Sequence, residues 1–286
     1  MYKPRMRAIS LAVLLAASAC EPKPATTPPV PAPAPATHVT ASTGPLSEAA
    51  FKALHELPAD APGARKGATI ALPGGARAYL SLPPGSGPHP GIVVIHEWWG
   101  LNGHIEHWAD RLASAGWAAL AVDLYDGKVA TDRDAAMAAM KAVEPARALA
   151  VLGEGLAFLA GDPRVRAPVR AVIGWCFGGG YALQAAQTFP DLDGAVMFYG
   201  HFEPDADKLR PIKARVLGVF GDRDQGIPRA EVDKLAAALK AAGVTAEIRH
   251  YDADHAFANP SNPKYDEKNA ADAWAHVLAF LTELRG

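Results

Sequence analysis

Short apolar runs recur along the chain at 91–96, 118–122, 169–173, 195–199 and 216–220. Runs of this length without alternation predict strands buried on both faces of a parallel sheet. The stretches between and after them carry helical patterns, at 105–115, 132–159, 181–188, 230–242 and 266–284. The Ala-rich stretch 132–159 holds one or two helices broken near Pro145, and Gly243 closes the helix before it. Ahead of the first buried run, segments 67–72 and 77–82 flank Pro73-Gly74-Gly75 and predict a hairpin. Segment 246–251 alternates as a strand at a sheet edge does, and 46–56 predicts a short amphipathic helix that opens the fold. The result is an α/β fold, a mostly parallel, doubly covered sheet with an N-terminal hairpin.

The first 45 residues follow another pattern. Lys3, Arg5 and Arg7 precede a twelve-residue apolar core, 8–19, too short to span a bilayer and suited to an export signal. Ala17-Ser18-Ala19 fits ordinary cleavage, and Cys20 directly behind it fits a bacterial lipobox in which that cysteine is lipidated, although Ala17 stands where such boxes usually carry Leu. Residues 21–45 are rich in Pro, Ala and Thr, a composition that cannot bury a core and reads as an extended, disordered tether. The expected organisation is a signal over 1–20, a tether over 21–45 and one domain over 46–286. The expected location is the bacterial cell envelope: lipid-anchored, with Glu21 favouring the outer membrane, or periplasmic or secreted if the signal is simply cleaved.

Composition narrows the function classes. Of the 286 residues, half are hydrophobic and the net charge is −2, which leaves no electrostatic case for nucleic acid or for an anionic membrane surface. The ten histidines show no H-x-x-x-H spacing and the chain no C-x-x-C, so no metal is expected. Cys20 and Cys176 are the two cysteines. If Cys20 carries lipid, Cys176 is a free thiol in an oxidising compartment, where a thiol without a role is a liability.

Cys176 lies in Gly174-Trp175-Cys176-Phe177-Gly178-Gly179-Gly180, directly behind the 169–173 strand. Strand, G-x-C-x-G and helix in that order make a nucleophile elbow, in which small residues two positions either side of the nucleophile avoid colliding with the turn. The following helix would aim its N-terminus at the thiol. Asp222 and Asp224 follow the second strand after this one, and His255 follows the third. Nucleophile, acid, then His is the order of α/β-hydrolases, and each element falls at a strand end, where open α/β sheets build their sites.

With His96-Glu97-Trp98-Trp99-Gly100, Asp123-Leu124-Tyr125, the Cys176 elbow, Gly221-x-x-Asp224 and Asp254-His255-x-Phe257, the chain resembles the dienelactone hydrolase family over about 65–285. The resemblance implies a Cys176–His255–Asp224 triad acting on an ester, lactone or thioester through an acyl-thioester, without a cofactor. It selects Asp224 over Asp222 as the acid. It also implies that Glu97 contacts the resting thiol, and that the Trp98 N–H joins that of Phe177 in an oxyanion hole. Two arginines that bind the substrate carboxylate in that family are replaced here by Gly127 and Asn259, so a carboxylate-bearing lactone loses its clamp; Lys128 could offer a point charge. The expected partner is a small-molecule ester or lactone, with a monomer as the default state. The competing class is a non-catalytic, ligand-binding surface lipoprotein whose Trp98, Trp99, Trp108 and Tyr199 line a cleft. A redox-sensing thiol is a further rival, but no resolving cysteine accompanies Cys176.

Overall fold

The computed structural model describes residues 45–56 and 65–286. The export signal with Cys20, and the tether save Pro45, lie outside the described residues. Among those described, the order is α1 (Glu48–Glu56), β1 (Ala68–Ala71), β2 (Arg77–Ser81), β3 (Gly91–Ile95), α2 (Gly103–Ser114), β4 (Ala118–Val122), α3 (Arg133–Lys141), α4 (Pro145–Gly161), β5 (Arg170–Trp175), α5 (Phe177–Thr188), β6 (Gly194–Phe198), α6 (Ala206–Leu209), β7 (Arg215–Gly221), α7 (Arg229–Ala241), β8 (Ala246–Tyr251) and α8 (Glu267–Glu283).

The strands form one sheet in the order β1-β2-β4-β3-β5-β6-β7-β8. β1 and β2 are the predicted antiparallel hairpin, β2 also runs antiparallel to β4, and the remaining pairs are parallel. β3, β4 and β6 are buried along their whole length, so their residues alternate between two cores rather than between core and water. Val93 and Ile95 face one core with Leu152 and Leu156 of α4 and Val232 and Leu235 of α7. Ile92 and Val94 face the other with Phe51 of α1, Trp108 of α2 and Trp274 of α8. At the edge, β8 is partly exposed, but its burial does not alternate as the sequence pattern predicts. It rises along the strand from exposed Ala246 and Glu247 to buried Tyr251, because its end rather than its start packs against the core.

The stretch 132–159 is two helices, α3 and α4, broken near Pro145 as predicted; Pro145 begins α4, where its missing N–H costs nothing. Two further details differ from the sequence pattern. The short α6 carries no periodicity to announce it. And α5 starts at Phe177, not at 181, taking Gly178, Gly179 and Gly180 into its first turn. Glycine is a poor helix former, so the triplet reads as loop; the close backbone approach described next overrides that propensity.

Candidate active site

From the end of β5 the chain turns at Cys176 straight into α5. Cys176 holds φ 54° and ψ −114°, a region that side chains rarely adopt. Glycine neighbours let this turn close. A Cβ on Gly174 would lie 2.2 Å from the Gly178 carbonyl, one on Gly178 would lie 2.3 Å from the Ile95 carbonyl, and one on Gly179 would lie 2.5 Å from the Phe198 carbonyl. The first turn of α5 is thus wedged between the ends of β3 and β6. The Cys176 N–H donates to the Phe198 carbonyl at 3.0 Å, which fixes the elbow to β6. Phe177, the first residue of α5, offers one of the N–H groups that a helix start leaves unpaired.

The loop after β7 supplies Asp224 and the loop after β8 supplies His255. His255 Nδ1 donates to Asp224 Oδ2 at 2.6 Å, since a carboxylate oxygen can only accept. The other Asp224 oxygen accepts from the N–H groups of Gly226 (2.8 Å) and Ile227 (3.2 Å). Burial opposes charge on Asp224, yet the His255 bond and these two donors hold it below the usual carboxylate range. For His255, burial pushes down, and hydrogen bonds to Asp224 and to Cys176 outweigh it and raise the imidazole to about 10. Asp222 is engaged elsewhere, with Arg229 at 2.6 Å and His250 at 2.9 Å.

Glu97, beyond the end of β3, has a partner that the sequence did not announce. Its carboxylate accepts from the Asn259 amide at 2.6 Å, while the Asn259 oxygen accepts from the Ser261 N–H at 2.9 Å. Both ends of the Asn259 side chain are therefore committed inside the site rather than presented to a ligand. Burial raises Glu97 to about 7, against the opposing pull of Asn259 and His255. No residue pattern links positions 97 and 259; only the fold brings them together.

Two family marks turn out to shape the loops. His96, wholly buried, accepts from the Leu124 N–H at 3.1 Å and donates through Nδ1 to the Glu97 carbonyl at 2.6 Å. Burial lowers it to about 4, so it ties the ends of β3 and β4 as a neutral ring. Asp123 accepts from the N–H groups of Tyr125 (2.8 Å) and Gly127 (2.6 Å), and Gly127 takes φ 83°, where a side chain would be strained. Burial, then the influence of Cys176, raises the Tyr125 hydroxyl, which has no hydrogen-bond partner among the described residues.

Of the aromatics considered for a cleft, Trp108 is core, packed on Phe51 and Trp175, and Tyr199 is fully buried with its ring 5.0 Å from that of His255. Trp98 and Trp99 are half-buried and pack edge to face. Lys128 lines a cleft of about 180 Å³ with Leu124, Tyr125, Val143, Arg147 and Val151. Arg147 is paired there with Asp126.

Comparison with known proteins places this geometry in context. The model of the dienelactone hydrolase family matches residues 76–284. A "Putative carboxymethylenebutenolidase" of Methylorubrum extorquens is 33% identical over 221 residues, 72% of this chain and 76% of the relative. The crystal structure of a "Putative Dienelactone Hydrolase" from Klebsiella pneumoniae superposes with a TM-score of 0.70 at 31% identity, covering 74% of this chain and 96% of the other. A dienelactone hydrolase-like promiscuous phosphotriesterase, P91, from metagenomic libraries gives a TM-score of 0.69 at 27% identity, covering 76% and 98%.

Proposed function

The chain belongs to the dienelactone hydrolase family, and from that premise we propose that it hydrolyses a small, uncharged ester, lactone or thioester through Cys176, His255 and Asp224. His255, raised to about 10, already holds the proton opposite the Cys176 sulfur at neutral pH, and Asp224 orients the ring and stabilises this charged form. The Cys176 sulfur then attacks the carbonyl carbon. The oxyanion so formed is met by the Phe177 N–H at the start of α5 and by the Trp98 N–H; losing one such donor typically costs about 3 kcal/mol of transition-state stabilisation. Collapse expels the alcohol or thiol, which leaves with the proton held by His255, and an acyl-thioester remains. Water, deprotonated by the same imidazole, releases the acid and restores the thiol. Glu97 titrates near neutral pH beside His255, so its charge modulates the imidazolium that forms.

The observation that carries the reading is the Asp224–His255 hydrogen bond beside a thiol in a strained turn at a helix start, with Cys176 among the groups that raise His255. The uncharged substrate follows from what surrounds it. Gly127 has no side chain to offer, and Asn259 is spent on Glu97.

Cys176→Ala should abolish ester hydrolysis with the fold intact, and iodoacetamide should label Cys176 and inactivate the wild type; full activity in the alanine variant would sink the mechanism. For the substrate, the comparison is kcat/KM for an uncharged enol-lactone against a dienelactone of similar size, at low and high salt. A missing pair of charge-assisted contacts should cost the anionic substrate roughly two to four orders of magnitude. A preference for the anion that weakens as salt rises would instead assign the clamp to Lys128 or Arg147.

A further inference from the structure

Away from Cys176, three histidines from two helices meet. His55 lies in the last turn of α1, while His104 and His107 stand three residues apart on one face of α2. Each offers a ring nitrogen, and the three nitrogens lie within 4.8 Å of one another. The rings of His55 and His104 stack 4.8 Å apart, and His55 meets His107 edge to face at 5.3 Å. We propose that His55, His104 and His107 form a binding site for one divalent transition-metal ion of the zinc class, which staples α1 to α2.

The hydrogen bonds around the cluster suit this assignment. His55 Nδ1 lies 3.0 Å from the Phe51 carbonyl, to which it can only donate. That fixes the tautomer and leaves Nε2 as a lone-pair donor, the arrangement in which a backbone carbonyl orients a metal-binding imidazole. His55 Nε2 and His104 Nδ1 are buried and have no hydrogen-bond partner among the described residues. Two such atoms side by side are unusual in a folded protein, because buried polar atoms are normally satisfied.

Imidazole nitrogens favour zinc, copper or nickel over magnesium or calcium, whose ligands are oxygens. Three histidines with a fourth position left for water is a known zinc arrangement, with bonds of about 2.1 Å, which would bring the nitrogens to about 3.4 Å from one another. Reaching that requires the parallel rings of His55 and His104 to turn until their in-plane lone pairs converge; His104 is partly exposed at the start of α2. Arg111, one turn beyond His107, is neutralised by Glu48 at 2.7 Å and adds little repulsion. The site joins a helix outside the family-matched segment to one inside it.

The test is zinc titration of the full-length chain, free of any affinity tag, by calorimetry and thermal melting. Cys176→Ala serves as the background so that the active-site thiol cannot hold the ion. One Zn²⁺ per chain should bind, with a rise in melting temperature, and His55→Gln or His104→Gln should each weaken binding by roughly a hundredfold. Circular dichroism checks that both variants fold. Copper(II) loaded into the Cys176→Ala chain should give an electron paramagnetic resonance spectrum of three imidazole nitrogens, a readout that needs no histidine substitution. Absence of zinc binding, affinity unchanged in His104→Gln, binding seen only when Cys176 is present, or fewer than three nitrogens on copper would each overturn the assignment.

Discussion

Asp222 and Asp224 stand two positions apart with equal chemistry, yet their surroundings separate them. Asp224 is buried, accepts two backbone N–H groups and holds His255, whereas Asp222 faces Arg229 and His250. Asp224→Asn should lower kcat by about 10⁴, by analogy with serine triads. Asp222→Asn breaks a partly exposed ion pair and should leave kcat within a fewfold; the reverse ranking would reassign the acid. Glu97 makes a prediction about stability. Its folded value of about 7 lies above its ordinary 4.5, so the folded state favours the neutral acid. That preference is fully expressed below 4.5 and is lost as pH rises through 7, a change on the order of 3 kcal/mol. Glu97→Gln keeps an oxygen for the Asn259 amide and removes the titration. Its urea midpoint should match wild type near pH 4.5 and exceed it at pH 8, and equal midpoints at both pH values would show that Glu97 is not held neutral. The triad candidates were legible in sequence because each follows a strand directly. Asn259 was legible only as a missing arginine, since its bond to Glu97 joins residues that no local pattern connects.

At the scale of elements, the strands could be read because burial on both faces leaves unbroken apolar runs. The start of α5 could not, because three glycines look like a loop until the carbonyls of β3 and β6 are seen beside them. The same contacts predict opposite outcomes for two glycine substitutions. Gly179→Ala would place a methyl 2.5 Å from the Phe198 carbonyl and should destabilise by about 1–3 kcal/mol while disturbing the elbow. A methyl on Gly161, which closes α4, would meet nothing within 4 Å, and Gly161→Ala should stabilise by up to about 1 kcal/mol. Chemical denaturation of both variants checks the pair. The histidine cluster was illegible for a related reason. His104 and His107 share a helix face, but H-x-x-H alone is a weak signal, and the third ring comes from a helix far earlier in the chain.

For the whole molecule, we propose from the charge pattern of residues 1–20 and the position of Cys20 an envelope protein held by lipid. If so, the chain should fractionate with membranes and carry an acyl mass on Cys20, and Cys20→Ala should release it to the soluble fraction; a soluble wild type with no acyl mass would argue for ordinary cleavage. A second consequence concerns timing. Glu48 of α1 accepts from the Tyr265 hydroxyl, and Lys52 pairs with Glu267 at the head of α8. Arg111, held by Glu48, also lies over Trp274. The first helix of the domain therefore takes part of its seat from α2 and part from the last segment of the chain to be made. Until α8 is made, α1 can rest only on α2, so its full seating marks the closing of the fold rather than its beginning.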